Sequence, residues 1–215
     1  MILEYREYGT AHPDSIVILL HGYGSNSDDL ITLAPELYND LPRTKFISVN
    51  APHKFEMDPN SNGRQWFSLL NREEDEMYKN AQIASKAIEK FIYEISDKHK
   101  LHNNRVALLG FSQGTMMAMH TAYRMENEIA GVLGYSGLLI KPSSLKNDII
   151  SKPKTMLVHG KDDFVVPPEC MPIALNALND AGVKTESKLI NNLAHGINKK
   201  GIEGGALFLK TLFLI

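Results

Sequence analysis

Residues 15–20 read Ser-Ile-Val-Ile-Leu-Leu, an apolar run with no polar alternation. A strand of that kind has to be covered on both faces, which is the situation of a parallel sheet between two layers of helices. The rest of the chain repeats the theme. Residues 44–49, 105–109, 129–135, 154–159 and 184–190 read as further strands, and residues 3–8 as an edge strand. Between them lie helical patterns. The strongest is 75–100, where Met77, Ala81, Ala84, Ile88, Phe91, Ile92 and Ile95 step by three and four along one face. Others are expected at 115–122, 168–181 and 202–214, and one capped by Ser27 or Asp28 that runs to about Asn39. Strands alternating with helices predict an α/β fold with a mostly parallel central sheet. The 215 residues are expected to form one domain, with no large lid insertion.

One turn in this pattern carries chemistry. Gly110-Phe111-Ser112-Gln113-Gly114 joins the 105–109 strand to the 115–122 helix. A serine on a tight Gly-flanked turn between strand and helix is the context of a nucleophile elbow. Side chains at 110 or 114 would collide with the strand or the helix. The helix N-terminus beneath the serine directs backbone N–H groups at an incoming negative charge.

A serine hydroxyl needs a base, and the base needs an acid to fix its tautomer. On α/β-hydrolase folds the order along the chain is Ser, acid, His. Of the eight histidines, only His120, His159 and His195 follow Ser112. His120 lies two turns along the elbow helix, and His159 has no strand-end carboxylate before it. His195 does, and is the expected base. The acid is Asp162 or Asp163, because adjacent residues leaving a strand point in different directions and spacing does not choose between them. An oxyanion would be met by the backbone N–H of Gln113 and by one from the glycine-rich loop after residue 20, with Tyr23 the candidate. Since these are backbone donors, Gln113→Ala is expected to be mild. His21 is expected to support that loop.

These segments together resemble the phospholipase/carboxylesterase family, which includes the acyl-protein thioesterases. The matching pieces are Leu20-His-Gly-Tyr-Gly24, Gly63-Arg-Gln-Trp-Phe67, Gly110-Phe-Ser-Gln-Gly114, His159-Gly-Lys-Asp-Asp163 with Val166-Pro167, and Ala194-His195-Gly196. They run in order along nearly the whole chain. The resemblance implies an α/β-hydrolase fold. It implies an acid third after the glycine of His-Gly, which is Asp163, completing Ser112, Asp163 and His195. It puts the second oxyanion donor at Tyr23, where relatives often carry leucine. It implies a Trp loop bordering the acyl site, so Trp66 and Phe67, with Gly22, are expected to bind substrate. The implied activity is hydrolysis of short- to medium-chain acyl esters, or of thioesters or lysophospholipids in some members. No cofactor or metal is implied.

Other classes fit less well. Net charge is −2, with no basic footprint for nucleic acid. No stretch approaches the ~20 apolar residues of a membrane helix, and charges interrupt the first residues where a secretory signal would need an apolar run. The single cysteine, Cys170, fits a reducing, cytoplasmic setting. A metal hydrolase built on His159, Asp162 or Asp163, and His195 lacks paired-ligand spacing. A non-catalytic binding protein on this scaffold would be expected to lack a triad member, and none is missing. Finally, residues 206–215 are apolar at eight positions of ten. They read as a helix covering the sheet or, more sharply, as an exposed patch for homodimerisation or membrane-surface docking through Phe213 and Ile215.

Overall fold

The computed structural model describes residues 3–214. Seven strands form one sheet: β1 (Tyr5–Gly9), β2 (Ser15–Leu20), β3 (Thr44–Val49), β6 (Val106–Phe111), β7 (Gly131–Tyr135), β8 (Lys154–Gly160) and β9 (Thr185–Ile190). Their spatial order is β1-β3-β2-β6-β7-β8-β9. Only β1 is antiparallel, against β3; every other pair is parallel. A two-residue hairpin, β4 (His53–Lys54) with β5 (Arg64–Gln65), stands apart from the sheet. The helices are α1 (Ser27–Leu30), α2 (Ala34–Tyr38), α3 (Glu74–His99), α4 (Gln113–Ala122), α5 (Leu145–Asp148), α6 (Cys170–Asp180) and α7 (Lys199–Phe213).

All six residues of β2 are buried, and they feed two cores in alternation. Ile16, Ile18 and Leu20 join the layer under α3, α4 and α6, while Val17 and Leu19 join the layer under α1, α2 and α7. The mostly parallel sheet with helices on both faces is therefore the α/β architecture the apolar runs demand. The stripe on α3 is buried as its spacing predicts, through Ala81, Ala84, Ile88, Phe91, Ile92 and Ile95.

One element differs from expectation, and another was open between two readings. The helix expected over 27–39 is broken into α1, a 3₁₀ turn at Ile31–Leu33 and α2. Pro35 stands in the first turn of α2, and a proline has no N–H with which to continue a helix from the turn before it. The cap of α1 is Asn26, whose side chain accepts from the amides of Asp28 and Asp29. The C-terminal helix buries Ala206, Phe208, Leu209 and Phe213. Phe213 is 2% exposed, with the Arg105 guanidinium over its ring, so it offers no docking patch. Ile215 lies outside the described residues.

Candidate active site

Register brings the carboxyl ends of the central strands to one edge. Leu20 pairs with Gly110, Phe111 with Tyr135, and Gly160 with Ile190. Loops leaving β2, β6, β8 and β9 therefore meet there, as ligand sites do on open parallel sheets.

Ser112 follows β6 with φ 53° and ψ −116°. A non-glycine residue at positive φ is strained and is held only where its surroundings over-determine it. Here the Ser112 amide donates to Tyr135 O at 2.9 Å, and the Ser112 carbonyl accepts from Thr115 and Met116. The flanking glycines are steric necessities. A Cβ at Gly114 would overlap the Leu20 carbonyl, and one at Gly110 the Thr115 amide nitrogen. The turn is so tight because α4 starts directly under the end of β2.

Asp163 is buried in the loop after β8, with its side chain fully enclosed. Its Oδ1 accepts from the amides of Val165 and Val166, both at 2.9 Å. Its Oδ2 lies 2.8 Å from His195 Nδ1. Burial alone would raise its pKa, but the His195 hydrogen bond and the Val166 and Val165 amides outweigh that, and the carboxyl sits below its ordinary value. An ionised carboxylate can only accept, so His195 Nδ1 carries the proton that it donates. In the neutral imidazole that leaves Nε2 with a free lone pair. Asp162 is exposed, and its amide is used on Leu193 O at 3.0 Å.

A second histidine reaches the same carboxylate. His159, buried at the end of β8, places Nε2 2.9 Å from Val166 O and 3.2 Å from Asp163 Oδ2. A carbonyl oxygen only accepts, so His159 Nε2 donates its one proton to Val166 O, and Asp163 Oδ2 is a close neighbour of the same edge of the ring. The sequence set His159 aside as a base. Its place four residues before Asp163, across the same turn, was the available signal for a supporting role.

The β2 loop closes on Ser112 from the other side. A Cβ at Gly22 would stand 3.3 Å from Ser112 Cβ. His21 is fully buried and ties this loop down: Ala51 N–H donates to its Nε2 at 3.0 Å, so Nδ1 carries the proton and donates to Gly22 O at 2.8 Å. Burial lowers its pKa to about 4, against partial support from the Gly22 carbonyl. The amide of Gln113, first in α4, has no carbonyl to bond within its own helix. Tyr23 lines the same space, and its phenol donates to Glu56.

Trp66 stands behind the site rather than along it. It is fully buried, its indole N–H donates to His21 O at 2.9 Å, and its amide donates to Gln113 Oε1 at 3.0 Å. Gln113 Nε2 donates in turn to Phe67 O at 2.8 Å. Neither Trp66 nor Phe67 lines the cavity that opens on Ser112 and His195. That cavity has a volume of about 440 Å³. Gly22 does line it, together with apolar walls from Leu69, Met77, Met116, Leu138, Val165, Val166 and Pro167, none of which the sequence marked as a substrate contact. No group of three or more His, Cys, Asp or Glu side chains suited to a metal occurs among the described residues.

A mostly parallel sheet whose strand ends bring a serine elbow, a carboxylate-bound imidazole and a glycine-rich loop to one cavity defines an α/β-hydrolase. More narrowly, the chain belongs to the phospholipase/carboxylesterase family, whose model matches residues 7–213. It is a hydrolase of the type that acts on carboxylic esters. The acyl-protein thioesterase 1 homolog 1 of Dictyostelium discoideum is 24% identical over 210 residues, covering 94% of this chain and 92% of that protein. Esterase YpfH of Escherichia coli (strain K12) is 23% identical over 188 residues, covering 87% and 78%. The crystal structure of esterase PE8 superposes with a TM-score of 0.92 at 31% identity, covering 99% of this chain and all of that one.

Proposed function

We propose that the protein, read as one domain over residues 1–215, is a serine carboxylesterase that cleaves short- to medium-chain acyl esters through an acyl-enzyme. The observation that carries this is the Asp163–His195 pair opening, with the strained Ser112, on one mostly apolar cavity.

In this reading Ser112 Oγ attacks the ester carbonyl while His195 Nε2 takes its proton. Asp163 keeps the proton on Nδ1 and stabilises the imidazolium, without itself becoming protonated. The oxyanion is met by the backbone N–H groups of Gln113 and Tyr23. Loss of one such donor typically costs about 10²–10³ in rate. The alcohol departs with the proton from His195, leaving Ser112 acylated. Water then enters, gives its proton to His195, and releases the acid. No step calls on a cofactor. The same machinery serves a thioester, as the name of the Dictyostelium relative suggests, or a lysophospholipid. The cavity volume of about 440 Å³ lies within the range of small-molecule sites. The lone free thiol, Cys170, is consistent with a reducing cytoplasmic setting. No described helix is long and apolar enough to cross a membrane.

The test is labelling with a fluorophosphonate, read by intact mass and peptide mapping. One adduct per chain on Ser112, absent from Ser112→Ala, is the expected result. A folded protein that takes no adduct would overturn the assignment and leave a non-catalytic binding role for the scaffold.

A further inference from the structure

We propose that the cavity selects esters bearing a fixed negative charge, with Arg72 as the residue that reads it; this rests on the hydrolase reading above. Three titratable side chains line the cavity: Tyr23, Arg72 and His195. Not one aspartate or glutamate does. Arg72 sits between Leu69 and the start of α3, where its Nε donates to Leu69 O at 3.3 Å. That bond holds one edge of the guanidinium to the cavity wall. Among the described residues Arg72 forms no ion pair.

The carboxylates around it are otherwise engaged or do not line the cavity. Glu56 accepts from the Tyr23 phenol and from the Leu69 amide, and it does not line the cavity. Glu73 and Glu74 follow Arg72 in the chain, are exposed at the start of α3, and do not line it either. Burial and the Glu56 hydrogen bond push the Tyr23 phenol up to about 12, with the Arg72 charge acting the other way across the cavity. The remaining wall is largely apolar, through Met77, Met116 and Leu138.

A carboxylate or phosphate brought alongside this guanidinium makes two-pronged, charge-assisted hydrogen bonds, with the terminal nitrogens free to form them. A cationic substrate finds a like charge and no acid to receive it, so the site discriminates by repulsion as well as attraction. The shared chemistry is a fixed anion, and it can sit on either side of the scissile bond. On the acyl side it is the free end of a dicarboxylic half-ester. On the alcohol side it is a carboxylate or phosphate on the leaving group.

The experiment measures kcat/KM for matched esters that differ only in a terminal anionic, neutral or cationic group. One series varies the acyl end and one the leaving group, and each rate is normalised to that ester's hydrolysis by hydroxide. Wild type is expected to prefer the anionic member of one series by about tenfold, the value of one charge-assisted contact at a partly exposed rim. Arg72→Gln should abolish that preference, Arg72→Lys should retain part of it, and added salt should compress it. Which series shows the effect tells the acyl source from the alcohol source. Turnover of neutral esters with no preference in either series, or a preference that survives Arg72→Gln, overturns the inference while leaving the hydrolase reading intact. No turnover of any ester and no adduct on Ser112 overturns both.

Discussion

Replacing Gln113 by alanine tests how the turn carrying Ser112 is tied to the rest of the molecule. From sequence the side chain looked dispensable, because only its backbone N–H was expected to face an oxyanion. In the structure Gln113 is fully buried, and its amide group bridges two backbone groups 47 and 46 residues away. Its Oε1 takes the Trp66 amide at 3.0 Å, and its Nε2 serves the Phe67 carbonyl at 2.8 Å. Alanine leaves one buried donor and one buried acceptor without partners. Each such orphan costs about 1–3 kcal/mol, so the substitution is expected to destabilise the fold by about 2–6 kcal/mol. Total stability for a domain is roughly 5–15 kcal/mol, so this is a large share of it. Gln113→Glu keeps an acceptor for Trp66 but either loses the proton for the Phe67 carbonyl or has to bury a charge, and both destabilise. Urea unfolding at pH 7, followed by the fluorescence of the single Trp66, gives both values. The alanine variant should unfold at much lower urea, and the glutamate variant should also be destabilised. An alanine variant within about 0.5 kcal/mol of wild type, inside the range of an ordinary surface change, would refute the argument that the bridge holds the Trp66 loop.

Three further outcomes follow from the same geometry. His21 and His120 are buried with pKa values lowered from 6.5 to about 4 and about 3, so the folded chain binds fewer protons than the unfolded one below pH 6.5. Stability is then fully present above that value and falls as pH drops. Each histidine contributes a loss of about 2 kcal/mol between pH 7 and pH 5; a urea midpoint that stays flat over that range would contradict it. His159→Leu removes the donor to Val166 O and the imidazole edge 3.2 Å from Asp163 Oδ2, and should lower kcat more than it changes KM, moving the acid limb of the pH–rate profile upwards. His159→Gln, which can still donate, should restore part of kcat, and identical profiles for all three proteins would remove His159 from the positioning of the acid. Gly114→Ala should abolish folding or Ser112 labelling, because its Cβ has to displace the Leu20 carbonyl. Gly196→Ala, where a Cβ meets nothing within 4 Å, should melt like wild type.

What could be read from the chain, and what could not, divides along the distance over which each feature is decided. The strands at 15–20 and 44–49 were legible to the residue, because a run buried on both faces needs only its own side chains to declare itself. The elbow was legible for the same reason, since strand, glycines, serine and helix are contiguous. Pro35 could have broken the expected 27–39 helix on the page, since the missing N–H is a local fact. The choice between Asp162 and Asp163 was not local. It depends on which carboxylate the turn folds over the Val165 and Val166 amides, and only the Gly160 spacing of the family pattern pointed to it. Trp66 shows the limit most clearly. A tryptophan in an irregular segment has no periodicity to say which way it faces. Its side was fixed by His21, whose carbonyl it bonds across 45 residues, and by Gln113. His21 is itself fixed by Ala51, across 30 residues. Each of these contacts joins a buried backbone group to a side chain that must be present to satisfy it. The loop shaping the cavity is therefore specified by polar satisfaction at long range, while the turn carrying Ser112 is specified by local chain sterics. Substitutions around Trp66 should accordingly act first on stability, and those lining the cavity at Arg72, Met77 and Met116 first on the choice of substrate.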